Sequence, residues 1–383
     1  MSHVRHLYVH LPFCAHRCGY CDFVTVVGPA EAQAGYVDAL LAELALERHA
    51  LAPALDTVFL GGGTPTLTHR DELIRLLKAL PAASELTVEA NPETVTPDLA
   101  RALRDAGVTR VSLGAQTFQA DLLAVLERRA DPDTVRRAFY DLRDASFDNI
   151  SLDLIYGIPG QSAADLRRDL EEALRLGPRH VSYYELEAKE GTRFSHAWGE
   201  ELARQADAME SYLELVVETL EGAGYRWYET ANFCRDGMRA RHNLAYWQGR
   251  DYLGLGIGAV STVAGRRWRN RPHLRAYVNA LAAGTPPGRE LEPLDASTLR
   301  RERLMLGLRL DEGLPLDEVN GELDSRGVER MERLGLVELR EDTIALTRRG
   351  RLLGTGVTVE LLAEASRQDA EPQAPFRGRE LLA

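Results

Sequence analysis

The chain has 383 residues, of which 45% are hydrophobic and 27% charged, and its net charge at neutral pH is −12. This length exceeds what one core usually organises, so we expect one barrel-sized domain and a second, smaller one. The acidic charge argues against broad, non-specific binding to nucleic acid or anionic membranes, and no apolar run approaches the ~20 residues that span a bilayer.

The N-terminal sequence MSHVRHLYVHLPF contains no secretory apolar region and leads directly into a group of cysteines. We therefore expect a cytoplasmic protein without a stable membrane anchor. In that reducing compartment, clustered cysteines serve metal or redox chemistry rather than disulfide formation.

Strand-like and helix-like segments alternate along the first half of the chain. Short apolar runs predict strands at HLYVHL, LDTVFL, ELTVEA, RVSLGAQ, NISLDLIY and HVSYYELE, and amphipathic segments lie between them. Thr68 and Asp71 resemble a capping box that opens the second helix, and Gly107 resembles a stop after the third. Four to six βα units in series predict an α/β fold with a parallel sheet, open or closed.

Unusual polar stretches follow the predicted strands. The cysteines come after the first strand, GGGTP after the second, EANP after the third and Gln116 after the fourth, while Asp153 lies within the fifth. Ligands of parallel sheets gather at the carboxyl ends of the strands. The sequence therefore predicts that these stretches line one pocket.

The composition changes after about residue 290. A helical segment is followed by the pattern of a helix, a hairpin and a helix, which predicts a small C-terminal winged-helix-like α+β module. We expect a core barrel with a pocket extension at 1–285, this module at 290–365, and a polar, flexible tail at 366–383.

Three of the four cysteines, Cys14, Cys18 and Cys21, have the spacing CxxxCxxC. Iron–sulfur clusters are held by thiolates, and three thiolates around a four-iron cubane leave one iron open for chemistry on a bound molecule. Zinc is the alternative, with His10 or His16 as the fourth ligand, although the spacing is not that of a zinc finger.

CxxxCxxC after a first strand, with the aromatic Tyr20 before the third cysteine, resembles the radical S-adenosylmethionine enzymes. GGGTP resembles the glycine motif of that family, since glycines let the backbone approach a ligand closely. The resemblance implies a partial (β/α)6 barrel of the TIM type and a [4Fe-4S] cluster. Its open iron chelates S-adenosyl-L-methionine, which the reduced cluster cleaves to a 5′-deoxyadenosyl radical.

YVHLPFCAHRCGYCDF, GGGTPT, EANPET, RVSLGAQTF, LDLIYGIPGQ, HNLAYW and YLGLGIGA together resemble the branch that contains oxygen-independent coproporphyrinogen oxidase and heme chaperones. Carried onto matching positions, the resemblance implies that S-adenosylmethionine is surrounded by Tyr8, Tyr20, Gly62, Gly63, Thr64, Glu89, Gln116, Arg128 and Asp153.

Each of these residues also has a purely structural interpretation. Glu89 could be a solvated carboxylate, Arg128 a surface charge, and Tyr8 and Tyr20 packing residues. Asp153 lies in an apolar strand, where an unpaired charge is costly, so we expect a ligand or an arginine as its partner.

Two features of the sequence distinguish the heme chaperones of this branch from its oxidases. The oxidases typically have an N-terminal extension and a further cysteine two positions after the third, whereas this chain has Phe23 there. The stretch HNLAYW resembles the heme-binding signature of the chaperones, formed here by His242, Asn243, Tyr246 and Trp247. Histidine is a common axial ligand of heme iron, although His242 could instead be a buried histidine in an aromatic core.

The remaining cysteine, Cys234, is interpreted as a buried apolar residue or as a thiolate that contacts heme. Relatives commonly have histidine where this chain has Val260, which weakens any transfer of porphyrin-contacting residues. The favoured hypothesis is a heme chaperone that delivers heme to acceptor proteins. The alternative is decarboxylation of coproporphyrinogen III to protoporphyrinogen IX. The module permits DNA binding, but we expect no nucleic-acid partner because the chain is acidic and lacks a basic recognition helix.

Overall fold

The computed structural model describes residues 3–28, 31–187, 189 and 192–363. In these residues the strands are β1 (His6–Leu11), β2 (Leu55–Gly62), β3 (Ala83–Ala90), β4 (Arg110–Gln116), β5 (Ile150–Tyr156), β6 (His180–Glu185), β7 (Arg226–Trp227), β8 (Asn232–Cys234), β9 (Leu253–Leu255), β10 (Val260–Val263), β11 (Arg266–Asn270), β12 (Arg289–Glu292), β13 (Leu314–Pro315), β14 (Val337–Arg340) and β15 (Thr343–Leu346).

The α-helices of the same residues are α1 (Glu31–Glu47), α2 (Arg70–Ala79), α3 (Pro97–Asp105), α4 (Ala120–Val125), α5 (Pro132–Asp144), α6 (Ala163–Leu176), α7 (Arg193–Gln205), α8 (Met209–Gly222), α9 (Arg241–Trp247), α10 (Leu274–Ala282), α11 (Ala296–Gly307), α12 (Ser325–Arg333), α13 (Arg348–Leu352) and α14 (Gly354–Leu361). None of these helices has the length and apolar character needed to cross a membrane.

One open sheet of parallel strands organises most of the chain. Strands β1 to β6 are parallel, and each pairs with the next strand in sequence. Strand β9 adds in parallel beside β1, whereas β8 and β7 add antiparallel beyond β6. The predicted α/β fold, a partial (β/α)6 barrel with a small C-terminal module, is therefore confirmed, and three short strands extend its edges.

Successive residues of the parallel strands face opposite sides of the sheet, and the two sides differ in character. The outward side is aliphatic and packs under the helices, with Leu7, Val9, Val58, Leu60, Leu86, Val88, Val111, Leu113, Leu152, Leu154 and Val181 in the core. The inward side is mostly polar, with His6, His10, Thr57, Glu85, Glu89, Arg110, Ser112, Ser151, Asp153, His180 and Ser182. Closed barrels of this type fill their interior with branched aliphatic side chains, so a polar interior points to a ligand-binding lumen.

The helix boundaries follow capping chemistry, with one exception to the sequence analysis. Helix α6 begins at a capping box formed by Ser162 and Asp165, and Gly107, with a φ of 89°, follows α3 as predicted. The capping box predicted at Thr68 is wrong. Helix α2 begins one residue later, with His69 as its N-cap, because the His69 amide donates to the side chain of Gln33 in α1.

The C-terminal module has its own small sheet, of order β13-β15-β14, and its own apolar core. That core contains Leu304, Leu308, Leu314, Val319, Val328, Met331, Ile344, Leu346, Val357 and Leu361. The predicted order of helix, hairpin and helix is present in α12, β14, β15, α13 and α14. The boundaries near residues 285 and 290 stay a prediction, and the predicted tail at 366–383 lies outside the described residues.

The turn after β4 depends on one buried carboxylate from α6. Asp169, which is 0% exposed, accepts hydrogen bonds from Thr117 Oγ1 (2.7 Å), the Phe118 amide (2.7 Å) and Gln119 Nε2 (2.9 Å). Gln116 immediately precedes this turn and has a φ of 67°, a conformation that non-glycine residues rarely adopt. Asp169 therefore helps to hold Gln116 at the rim of the barrel.

We predict that Asp169→Ala lowers the free energy of unfolding of the reduced apoprotein by about 3 kcal/mol, because three buried donors lose their acceptor. Urea unfolding at neutral pH measures the change. The matched control is Glu171→Ala on the exposed side of the same helix, which should stay within about 0.5 kcal/mol of the wild type. Equal effects of the two substitutions would contradict this role for Asp169.

Candidate functional site

The three clustered cysteines lie in one loop whose ends are fastened together. Backbone hydrogen bonds join Val26 N to Pro12 O (2.7 Å) and Cys14 N to Val26 O (3.1 Å), which closes the loop after β1. Within it, the Cys21 amide donates to Cys18 O (3.2 Å). All three cysteine side chains are half-buried and free of disulfides. The loop therefore presents three thiols from a short, closed segment at the carboxyl end of the first strand.

The surroundings of the thiols favour their neutral form when no metal is bound. Burial raises the pKa of Cys14, Cys18 and Cys21, that of Cys21 to about 11, and neighbouring cysteines raise the pKa of Cys14 and Cys21 further. The Arg128 charge acts in the opposite direction on Cys14 and Cys18. Thiolates are the form that binds metals, so cluster binding must release protons here.

The donor set fits a cluster better than a single ion. In the described part of the chain, no group of three His, Cys, Asp or Glu side chains is placed to hold one metal ion. His10, the first candidate for a fourth zinc ligand, donates from Nε2 to Val24 O (2.8 Å), while its Nδ1 accepts from Tyr8 (3.0 Å). His16 donates from Nε2 to Glu127 O (2.5 Å). Three thiols on one loop match the one-thiolate-per-iron requirement of a cubane.

The glycines after β2 bring its backbone against the cysteine loop. A Cβ atom at Gly63 would lie 2.6 Å from the carbonyl carbon of Pro12, and one at Gly62 would collide with the His10 ring. Gly62 also has a φ of 112°, which favours glycine. The sequence-predicted glycine motif therefore joins the first two strand ends at the rim of the barrel.

A hydrogen-bonded series connects this rim with α4 and β4. Thr64 Oγ1 lies 3.7 Å from Cys14 Sγ and accepts a hydrogen bond from Asn91 Nδ2 (2.8 Å). Arg128 donates to Asn91 Oδ1 (2.7 Å) and to Gly114 O (3.0 Å). Its Nε atom is buried without a hydrogen-bond partner in the structure. An unpaired buried donor beside the thiols is what a site for an acceptor-bearing ligand provides.

Two carboxylates face the lumen just below the rim. Glu89 accepts from the Gly62 amide (3.1 Å), and burial, together with the charge of Asp153, raises its pKa to about 8. Asp153 accepts from Ser112 (2.8 Å) and Ser151 (2.8 Å), and burial raises its pKa against these hydrogen bonds. Serines on β4 and β5 therefore provide its hydrogen bonds, the Arg110 charge opposes the rise in its pKa, and a bound ligand as its partner stays a prediction.

The two tyrosines of the predicted set have different surroundings. Tyr20 packs edge-on against Phe194 of α7, with 6.2 Å between ring centroids, and so fastens the cysteine loop to the barrel wall. Tyr8 lies over Phe59 in the lumen, at 6.2 Å, and its hydroxyl contacts His10. The Gln116 side chain lies over Gly114, where an added Cβ would be 2.8 Å from its Nε2 atom.

Helix α9 carries the predicted heme motif, and it lies at the lower end of the lumen. His242 is 1% exposed; its Nδ1 is 2.7 Å from Thr57 Oγ1 and its Nε2 is 2.8 Å from the Tyr246 hydroxyl. Burial lowers the pKa of His242 to about 3, so the ring is neutral. Both ring nitrogens therefore have hydrogen-bond partners. Iron ligation by His242 stays a prediction, and it requires Nε2 to give up its hydrogen bond with Tyr246.

The side chains of the heme motif point in different directions from α9. Asn243 is half-buried, and Tyr246 is buried beside Tyr252 and Val260. Trp247 instead lies under Arg309 of the C-terminal module, 5.0 Å from ring centroid to guanidinium. Neighbouring residues of a helix point about 100° apart, so Tyr246 and Trp247 cannot cover the same ligand face.

A small pocket lies between the cysteine loop and α9. Its lining is largely apolar and aromatic, and consists of Tyr8, His10, Phe23, Val24, Tyr246, Gly258, Ala259 and Val260. Val260 belongs to this wall. Cys234 is distant from the pocket in sheet order, because it is buried in β8 opposite His180 at the other edge. Its interpretation as a buried apolar residue is confirmed.

Sequence reasoning missed the polar residues inside the barrel. Thr57 and Glu85 support α9, while Ser151, His180 and Tyr228 form a buried hydrogen-bonded series. The available signal was the run of polar residues at alternate positions of β3 to β6, in strands whose other residues are mostly aliphatic.

Comparisons with known proteins agree with this geometry. The family described as the Radical SAM superfamily matches residues 8–173, and the HemN C-terminal domain matches residues 294–353. The coproporphyrinogen III oxidase HemN from Escherichia coli, a radical SAM enzyme of known structure, superposes with a TM-score of 0.74. The alignment covers 94% of this chain and 90% of that one at 22% identity, which shows a shared fold. The fold is that of a radical SAM protein.

Relatives of higher sequence identity show which family of this superfamily the chain belongs to. The heme chaperone HemW of Mycobacterium tuberculosis is 40% identical over 93% of this chain and 94% of its own length. HemW of Bacillus subtilis is 34% identical over 93% and 99% respectively, and HemW of Escherichia coli is 35% identical over 67% and 70%. The chain therefore belongs to the HemW family of the radical SAM superfamily.

The raised pKa of Glu89 predicts how stability changes with pH. Its folded-state pKa of about 8 exceeds the ordinary value of 4.5, so the folded state loses stability as the pH rises through this interval. Glu89→Gln removes the ionisable group and with it this loss of stability, and the glutamine oxygen can still accept from the Gly62 amide. We predict that the reduced apoprotein carrying Glu89→Gln is more stable than the wild type by about 3 kcal/mol at pH 9 and nearly equal to it at pH 5.

Urea unfolding across this pH range measures the difference. The control is Glu93→Gln, an exposed glutamate in the turn after β3, which should reproduce the wild-type profile. Parallel profiles for the wild type and Glu89→Gln would mean that Glu89 is already ionised at neutral pH.

Proposed function

We propose that this protein is a cytoplasmic heme chaperone that binds a [4Fe-4S] cluster, S-adenosyl-L-methionine and heme, and that passes heme to acceptor proteins. The similarity to relatives named heme chaperone HemW is the observation that supports this most. In two of them it extends over 93% of the chain, and it therefore includes α9 as well as the central strands of the barrel.

In this proposal Cys14, Cys18 and Cys21 hold the cluster. When bound, such a cluster supplies one low-potential electron and an open iron position. The protein's part is to orient the thiols and to shield them from water. Thr64 and Arg128 brace one side of the loop, and Tyr20 with Phe194 covers another.

S-adenosylmethionine is proposed to bind at the rim above the lumen. The residues proposed to surround it are Tyr8, Tyr20, Gly62, Gly63, Thr64, Glu89, Gln116, Arg128 and Asp153. Glycine backbone at Gly62 and Gly63 permits close approach, and the Arg128 Nε atom is available to an acceptor. A cation near Glu89 and Asp153 favours their ionised forms and offsets the cost of burying them.

Heme is proposed to bind in the pocket between the cysteine loop and α9. Tyr8, Tyr246 and Val260 line a small, largely apolar pocket there, whose walls must separate to admit a porphyrin ring. His242 and Asn243 lie on the same helix as Tyr246, with His242 directly bonded to its hydroxyl. Trp247 extends from this helix to Arg309, so a movement of α9 on heme binding would reach the C-terminal module. We propose that acceptor proteins bind at this module.

The decisive experiment compares heme uptake with catalysis. Anaerobically reconstituted protein is titrated with heme and monitored by its Soret absorbance. A separate sample is incubated with coproporphyrinogen III, S-adenosylmethionine and reductant. We predict saturable heme binding and no multiple-turnover formation of protoporphyrinogen IX. Sustained product formation would establish the decarboxylase instead, and failure to take up heme would remove the chaperone role.

The same titration tests the axial ligand. His242→Gln is predicted to shift the Soret band of the bound heme, because an imidazole ligand is lost. The matched control is His6→Gln, a neighbouring lumen histidine that shares Thr57 as a partner and lies 6.5 Å from the His242 ring. Unchanged spectra in both variants would place the ligand elsewhere.

A further inference from the structure

A continuous series of hydrogen bonds crosses the barrel from the rim to α9. Ser151 Oγ donates to Asp153 Oδ1 (2.8 Å), and His180 Nδ1 lies 2.8 Å from Ser151 Oγ. His180 Nε2 lies 2.7 Å from the Tyr228 hydroxyl, which accepts from the Ala240 amide (3.0 Å). The series therefore links a carboxylate of the proposed S-adenosylmethionine site with the residue that caps α9.

The direction of every proton in this series follows from its two ends. The Tyr228 hydroxyl accepts from the Ala240 amide, and its own proton goes to His180 Nε2, because Nε2 carries no proton when Nδ1 donates to Ser151. Ser151 uses its proton on the carboxylate of Asp153 and must accept from His180. The proton of His180 is therefore on Nδ1, with Nε2 as the acceptor. Each group donates towards Asp153, which is the arrangement in which successive hydrogen bonds polarise one another.

The interior members of the series are isolated from solvent, whereas its upper end is accessible. Ser151, His180 and Tyr228 are each 0% exposed. Asp153 is half-buried and faces the lumen, and its charge contributes to the raised pKa of Glu89. Burial lowers the pKa of His180 well below its usual range, in agreement with a neutral ring. A ligand can therefore act on the series at Asp153, and water cannot interrupt it lower down.

The lower end of the series controls where α9 begins. Ala240 is the N-cap of α9, and its amide is held by Tyr228. The next two amides, of Arg241 and His242, both donate to the buried carboxylate of Glu85 (3.2 and 3.1 Å). The first three backbone amides of this segment thus bond to two side chains, Tyr228 and Glu85, and Tyr228 belongs to the series that reaches Asp153.

We propose that Ser151, His180 and Tyr228 are positioning residues that couple S-adenosylmethionine binding at the rim to the placement of α9, and thereby to heme affinity. This inference rests on the proposed function, since it assumes those two ligands. S-adenosylmethionine carries a sulfonium charge. Such a cation near Asp153 keeps the carboxylate ionised against the effect of burial, and thereby keeps it the terminal acceptor of the series down to Ala240. Heme then meets an α9 that is already ordered.

Hydrogen–deuterium exchange of the segment 240–247 tests the coupling without heme. In anaerobically reconstituted holoprotein, S-adenosylmethionine should slow exchange of this segment by about fivefold, the lower end of typical coupling between sites. Tyr228→Phe keeps the ring but removes both hydrogen bonds of the hydroxyl, and should abolish the slowing. Ser151→Ala, which interrupts the series nearer the rim, should do the same.

The matched control is Tyr225→Phe. This tyrosine is also buried, at 3% exposure, but its hydroxyl donates to Pro178 O and has no part in the series. The S-adenosylmethionine effect should persist in this variant, and thermal melting establishes that all three variants are folded. Loss of the effect in Tyr225→Phe as well, its retention in Tyr228→Phe, or its absence in the wild type would each overturn the proposal.

Heme titration of the same samples separates this proposal from the proposed function. The wild type and Tyr225→Phe should bind heme about fivefold more tightly with S-adenosylmethionine than without it, and Tyr228→Phe equally in both conditions. If S-adenosylmethionine changes exchange as predicted but no sample binds heme, the coupling stands and the chaperone function falls. If heme binds but S-adenosylmethionine changes neither exchange nor affinity, the function stands and the coupling falls.

Discussion

The structure depends on a parallel sheet whose inner face is polar and must nevertheless be hydrogen-bonded. An ordinary barrel would bury aliphatic side chains there, and each unpaired polar group would cost roughly 1–3 kcal/mol. Here serines, histidines and carboxylates on adjacent strands satisfy one another, as Ser112 and Ser151 do for Asp153. The barrel can therefore remain open inside without paying that penalty, and its lumen is available to ligands.

The groups that take part in the proposed binding lie at three levels of this one lumen. The rim carries the cysteine loop and the glycines, because parallel strands end there together. The middle contains Glu89 and Asp153, whose raised pKa values reflect burial. The lower end is occupied by α9, which is held through Thr57, Glu85 and Tyr228. A cation at the rim and a porphyrin beside α9 would thus contact parts of one hydrogen-bonded interior.

Much of the fold and of the rim could be predicted from the sequence, because both depend on local patterns. The βα series, the cysteine spacing and the Gly107 stop are all encoded within short segments. The capping box at Thr68 failed because Gln33, far away in the sequence, provides the partner for the next amide. The serine partners of Asp153 and the direction of Trp247 depend on packing between distant segments. Strands β7 to β9 were missed because two or three residues give no periodic signal.

The central claim is that three thiols of one loop hold a cubane with an accessible iron beside the lumen. Electron paramagnetic resonance of the reduced, anaerobically reconstituted protein tests it most directly, before and after addition of S-adenosylmethionine. The account predicts a four-iron signal that changes when the cofactor is added, that persists in Cys234→Ala and that is lost in Cys14→Ala. A protein that retains zinc in place of iron, or a signal indifferent to S-adenosylmethionine, would contradict it.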